Sequence, residues 1–89
     1  MIGSVQIRAA RGLLGISAQE LAQMANVPHR TVQRLESSDG IPPSRGGTLD
    51  RVREALEAAG IEFIGDPIHS PGVRLRGNAQ SQPDPETDD

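Results

Sequence analysis

Cysteine, tryptophan, tyrosine and lysine are absent from this 89-residue sequence, and phenylalanine occurs once. Without cysteine, neither a disulfide framework nor a cysteine metal site can form. With a single aromatic ring the core must be assembled from Leu, Ile, Val and Ala, which suits packed helices. No apolar run approaches the roughly 20 residues that span a bilayer, and the N-terminus carries no signal-peptide pattern. A soluble, cytoplasmic chain with no membrane partner is expected. His29 and His69 have no cysteine near them and no carboxylate at metal-ligand spacing, so a zinc site lacks ligands. No serine sits in a nucleophile elbow, and Gly46-Gly47 lacks the lysine and the spacing of a phosphate-binding loop. Catalysis is therefore not expected, and neither is a metal or a cofactor.

What is present is enough chain for one small domain, with an uneven charge. The net charge is −3, but residues 78–89 hold Asp84, Glu86, Asp88 and Asp89 and no base, which leaves residues 1–77 at +1. All nine basic residues are arginine, the side chain suited to bidentate contact with phosphate and guanine. The clustering of that charge, more than its overall sign, bears on a nucleic-acid partner.

The rest of the chain is organised around residues 16–36, which read as two short helices joined by a tight turn. Ser17 and Glu20 form a capping box, with Ile16 and Leu21 as the accompanying hydrophobic staple. The first of these helices is predicted from Ala18 to Ala25, stopped by Asn26, which tolerates a left-handed backbone. Pro28 is predicted to open the second, its φ already set, and that helix runs to about Ser37. Small Ala22 permits a close helix crossing. Val32 and Leu35, three apart, form an inward stripe, which puts Arg30, Gln33, Arg34 and Ser37 on the opposite face, with His29 beside it at the helix start. Upstream, Ser4 is placed as the cap of a helix from Val5 to Leu14, with Ile7, Ala10 and Leu14 as its buried stripe.

This stretch resembles the helix-turn-helix of the Xre/Cro family of transcriptional regulators, to which the lambda repressor DNA-binding domain belongs. The matching residues are the S-x-x-E start, Leu21 and Ala22, the turn at Asn26, and T-V-x-R-L-E from Thr31 to Glu36, preceded by R-A-A-R-G-L-L-G-I from Arg8 to Ile16. The likeness extends over residues 5 to about 60. It implies binding to double-stranded DNA, with the second helix of the motif in the major groove. Carried across by position, the base-reading residues fall on His29, Arg30 and Arg34, with Thr31 and Gln33 beside them. Either arginine could grip guanine, and Gln33 could meet adenine or a phosphate. Backbone contacts fall on Ser17, Ala18, Gln19, Ser37 and Arg45. Where the family often has glutamine this chain has Ala18, so that contact is lost or partly replaced by Gln19. The resemblance also implies an ion pair between Arg11 and Glu36 that locks the first helix to the reading helix; two solvated surface charges are the plainer alternative.

Residues 37–47 read as a turn-rich loop, serving either as a plain connection or, through Arg45, as a phosphate contact. Thr48 is placed as the cap of a fourth helix over Leu49 to Ala59, ended by Gly60, with Leu49, Val52, Leu56 and Ala59 inward and Asp50, Arg51, Arg53, Glu54 and Glu57 outward. The family usually continues with another helix. Here Ile61 to Ile64 and Val73 to Arg76 alternate around a Gly/Pro-rich turn, which predicts a β-hairpin. Ile61, Phe63, Val73 and Leu75 are expected to face the helices, and Glu62, Arg74 and Arg76 to face water. A lone two-stranded ribbon is barely stable and leaves unpaired edges, so the hairpin, with Ile61, Phe63, Val73 and Leu75, is expected to make a symmetric homodimer. Residues 77–89 read as a disordered acidic tail, either solubilising or competing with phosphate for the arginine face.

The expected fold is mainly α: a four-helix lambda-repressor-like domain over residues 1–76, its hairpin at residues 61–76, and the tail. The expected function is sequence-specific duplex binding by a dimeric repressor on a palindromic operator. The alternative is an adapter or antitoxin-like protein working through a protein partner; a protein-binding face on the reading helix would carry more apolar residues.

Overall fold

Four helices and a hairpin follow one another in the computed structural model, which describes residues 1–43 and 47–76: α1 (Ser4–Leu14), α2 (Ala18–Ala25), α3 (His29–Ser37), α4 (Thr48–Ala58), β1 (Ile61–Ile64) and β2 (Gly72–Leu75). Arg45 and the acidic segment 77–89 lie outside the described residues. The core joins all of the elements except β2. Ile2, Ile7, Ala10, Leu21, Ala22, Ala25, Val32, Leu35, Leu49, Val52, Leu56 and Ile61 are buried together, and Leu14, Phe63 and Val73 pack on their margin. Each large aliphatic side chain taken from water stabilises the fold by about 1.5–3 kcal/mol. A core of this make-up therefore holds the helices without aromatic residues in its centre.

The turn between α2 and α3 follows its residues closely. The Ser17 hydroxyl accepts from the Glu20 amide at 2.9 Å, and Glu20 Oε1 accepts from the Ser17 amide at 2.8 Å. Asn26 takes the left-handed conformation at φ 59°, where its amide donates to the Gln23 carbonyl. No other non-glycine among the described residues has positive φ.

Three helix starts differ from expectation by one residue. Pro28 is the N-cap of α3, not its first residue: its ψ of 147° is extended, and its carbonyl accepts from the amides of Thr31 and Val32. Ser4 lies inside α1, and Gly3 is the cap. The Gly3 amide donates to Gln6 Oε1 at 2.8 Å, which frees the Ser4 hydroxyl to donate elsewhere, to the Leu35 carbonyl. A Cβ at residue 3 would stand 2.8 Å from the Pro67 carbonyl oxygen, so only glycine fits this crossing of three segments. Thr48 likewise begins α4, after Gly47 at φ 74°, a conformation closed to a β-branched residue. At the other end α4 stops at Ala58; Ala59 is its C-cap and Gly60, at φ 105°, turns into β1. Ala59 is half-buried, at the edge of the stripe expected to include it.

The strands pair antiparallel, Ile61 with Leu75, Glu62 with Arg74, Phe63 with Val73 and Ile64 with Gly72, so β2 starts one residue before the expected Val73 and leaves Arg76 beyond its end. The Arg76 amide donates to the Gly60 carbonyl at 2.7 Å. By the alternation of an antiparallel ladder, the backbone groups of Ile61, Phe63, Val73 and Leu75 therefore turn outward to the ribbon's edges. Ile61 is buried and Phe63 and Val73 half-buried against the helices, but Leu75 is 44 % exposed, contrary to its expected inward place. Its methyl group lies against Gly60, where there is no side chain to cover it.

Gln6 ties this ribbon to α1. It is buried, and its amide nitrogen donates to the carbonyls of Ile64 and Gly72, one on each strand, at 3.2 and 2.9 Å.

Candidate nucleic-acid interface

Helix α3 divides cleanly. Val32, Leu35 and Glu36 are buried, whereas His29, Arg30, Gln33, Arg34 and Ser37 are exposed and Thr31 is half-buried beside them. The expected base-reading residues thus lie on one solvent-facing side, with Thr31 at its edge. Neither Arg30 nor Arg34 has a carboxylate partner among the described residues, unlike Arg11, Arg53 and Arg74. Two free guanidinium groups, an amide and an imidazole make a surface rich in hydrogen-bond donors and short of negative charge.

The inner side of α3 is anchored by α1. Arg11 Nε stands 2.7 Å from Glu36 Oε2, and Arg11 Nη2 stands 2.9 Å from Oε1, a bidentate pair with the carboxylate nine-tenths buried. Hydrogen bonding to Glu36 raises the Arg11 pKa further above its ordinary value, partly opposed by desolvation, with the Glu36 charge adding to the rise. The pair is therefore charged on the arginine side throughout the accessible pH range. Arg11 Nη1 also donates to the Ile16 carbonyl at 3.1 Å, which ties the start of the motif to the same guanidinium.

Ser4 and Arg8 have roles that the sequence reading missed. The Ser4 hydroxyl donates to the Leu35 carbonyl and Arg8 Nη1 to the Glu36 carbonyl. Helix ends leave their last carbonyls without intrahelical partners; here α1 supplies the donors. Ser37 and Ser38 do the same for the Arg34 carbonyl, at 3.0 and 3.4 Å. Two cations at this end also complement the helix dipole. The available signal was the i, i+4, i+7 spacing of Ser4, Arg8 and Arg11, which forms a polar stripe beside the apolar stripe of the same helix.

The expected backbone-contact residues divide by position. At the start of α2, Ser17 and Gln19 are exposed and Ala18 is half-buried against the core. The amides of Ala18 and Gln19 have no acceptor among the described residues, since Ser17 satisfies only the two that follow. Ser37 is exposed at the far end of α3. Among the described residues no group of three or more His, Asp or Glu side chains could hold a metal ion. His69 does have a carboxylate neighbour, Asp66 Oδ2 at 3.0 Å from Nδ1, in the hairpin turn. Nor is any described helix long and apolar enough to cross a membrane.

Comparison with known proteins bears on the same segment. Residues 7–45 match the family model described as helix-turn-helix. No curated protein and no solved structure matches the chain. The match runs from within α1 to residue 45, ahead of α4, so it includes the whole of α2, the turn and α3. Residues 7–45 are accordingly an Xre-type, lambda-repressor-like helix-turn-helix domain, the DNA-binding module of a helix-turn-helix regulator.

Proposed function

We propose that the chain is a dimeric transcriptional repressor that reads a palindromic operator with α3. In this reading α3 lies in the major groove, where Arg30 or Arg34 grips guanine O6 and N7, and His29, Thr31 and Gln33 meet neighbouring base edges. Ser17, the free amides of Ala18 and Gln19, Ser37 and Arg45 hold the phosphate backbone on either side. The observation that carries this reading is the exposed pair of arginines, with no carboxylate partner among the described residues, on a helix whose opposite face is pinned by α1. A reading helix must be held rigidly and must present donors, and α3 is anchored by α1 and exposes Arg30, Gln33 and Arg34 among the described residues.

Dimerisation through the hairpin is supported by its two edges, where the backbone groups of Ile61 and Phe63, or of Val73 and Leu75, turn outward. Ile61 is spent on its own core, so its side chain is not available to a partner; Leu75 is. Edge pairing through β2 would cover that leucine and join two copies by a two-fold axis.

Duplex binding measured over a range of salt concentrations tests the reading. Affinity is expected to fall steeply with salt, and Arg30→Ala or Arg34→Ala each to cost about 1–3 kcal/mol, with relaxed sequence preference at one base pair. Flat salt dependence, or unchanged binding by both variants, would reject it. Selection from a random duplex library is expected to return an inverted repeat.

A further inference from the structure

We propose that the acidic segment 78–89 docks on the arginine face of α3 and competes there with DNA phosphate. The inference rests on the reading of that face as a DNA-binding surface. Arg30 and Arg34 are exposed without a carboxylate partner among the described residues, and the first turn of α3 holds no acidic residue. The positive end of the helix dipole thus adds to the field of the two guanidinium groups. Segment 78–89 carries four carboxylates, Asp84, Glu86, Asp88 and Asp89, and no base. Carboxylate and phosphate are gripped by guanidinium in the same forked geometry, so the two occupants exclude each other.

Reach and local concentration make the contact effective. The last described residue, Arg76, is fixed by its bond to Gly60. From there residues 77–89 can extend about 43 Å at roughly 3.3 Å per residue, against a diameter of about 30 Å for a domain of this size. A tethered ligand has an effective concentration in the millimolar range. Individually weak exposed pairs therefore suffice when both partners belong to one chain. Ala79 is the sole aliphatic residue of the segment, which leaves charge as the force that holds it and salt as the agent that releases it. The device sets a threshold at low ionic strength: polymeric phosphate displaces the segment, whereas a small anion does so only at the concentrations that screen the charges.

The test uses the full chain and a variant with Asp84→Asn, Glu86→Gln, Asp88→Asn and Asp89→Asn. On a short mixed-sequence duplex at low salt the variant is expected to bind about three- to tenfold more tightly, the strength of one or two exposed ion pairs. Its affinity should also fall more steeply with salt, and the two curves should meet at high salt. Without DNA, the backbone amide resonances of His29 to Arg34 are expected to differ between the two proteins at low salt and to coincide in about 1 M NaCl, where charge is screened within about 3 Å. Equal affinities overturn the proposal and leave the DNA-binding reading standing. So does tighter binding with unchanged α3 resonances, or with changes confined to the exposed Arg51 or Arg76, because the segment would then act through net charge alone or dock elsewhere. If neither protein binds the duplex in a salt-dependent way, both inferences fall.

Discussion

Glu36 shows how much one side chain can fix. Its carboxylate takes both prongs of Arg11, and its carbonyl takes Arg8, so two turns of α1 meet the last turn of α3 at a single residue. Removing one partner of such a pair leaves a charge without compensation in a nearly closed site. Arg11→Ala is expected to destabilise the domain by about 1–3 kcal/mol, below the usual cost for a fully buried pair because Arg11 is itself a quarter exposed. Chemical denaturation measures this, and the double variant Arg11→Leu/Glu36→Leu should recover part of the loss. Asp66 is a second local device. It accepts from the amides of His69 and Ile68 and from the His69 ring, and these bonds, His69 first, hold its pKa below the ordinary carboxylate value. A carboxylate with a lowered folded-state pKa stabilises the turn above its ordinary value, and that contribution is lost as pH falls through the lowered one. In an NMR titration the Asp66 carboxyl should titrate below the ordinary carboxylate range, and the Ile68 amide that donates to it should show a step at that same low pH.

At the scale of elements, legibility tracked distance along the chain. The capping box at Ser17, the stop at Asn26 and the inward stripe of α3 are each written within four or five residues, and the structure has them where the pattern put them. Replacing the capping hydroxyl, Ser17→Ala, is accordingly expected to cost about 1 kcal/mol, readable as a fall in thermal midpoint. Helix starts at Gly3, Pro28 and Gly47 lie one residue from their expected places, for three local reasons: the Ser4 hydroxyl is taken by the Leu35 carbonyl, Pro28 has an extended ψ, and Gly47 is left-handed. Ser4 reads as a cap in the sequence because its acceptor, Leu35, is 31 residues away. Gln6 gave no signal at all: its acceptors are 58 and 66 residues downstream, and a buried glutamine looks like a surface one until the ribbon that needs it is in place. Leu75 failed for the opposite reason. Alternation assigned it to a face, but no rule of alternation says whether anything covers that face.

For the molecule as a whole, the placement of α1 matters more than its share of the sequence suggests. It is the element that holds α3 by Ser4, Arg8 and Arg11 and holds the hairpin by Gln6. Were two copies joined along β2, Leu75→Arg would place like charges beside the two-fold axis. That variant is expected to sediment as a monomer with unchanged helical circular dichroism, and to lose affinity for a two-site duplex far more than for a single half-site. The double hydrogen bond from Gln6 then acquires a meaning beyond stability. With the hairpin as joint and α3 as reading tip, as proposed, the two would be coupled through one helix gripped at both places, and a pair of copies would work as a caliper whose opening is set by α1. Replacing Gln6 with leucine would loosen the arm at its pivot. The loss would be seen less in how tightly an operator of ideal spacing is held than in how many wrong spacings are accepted.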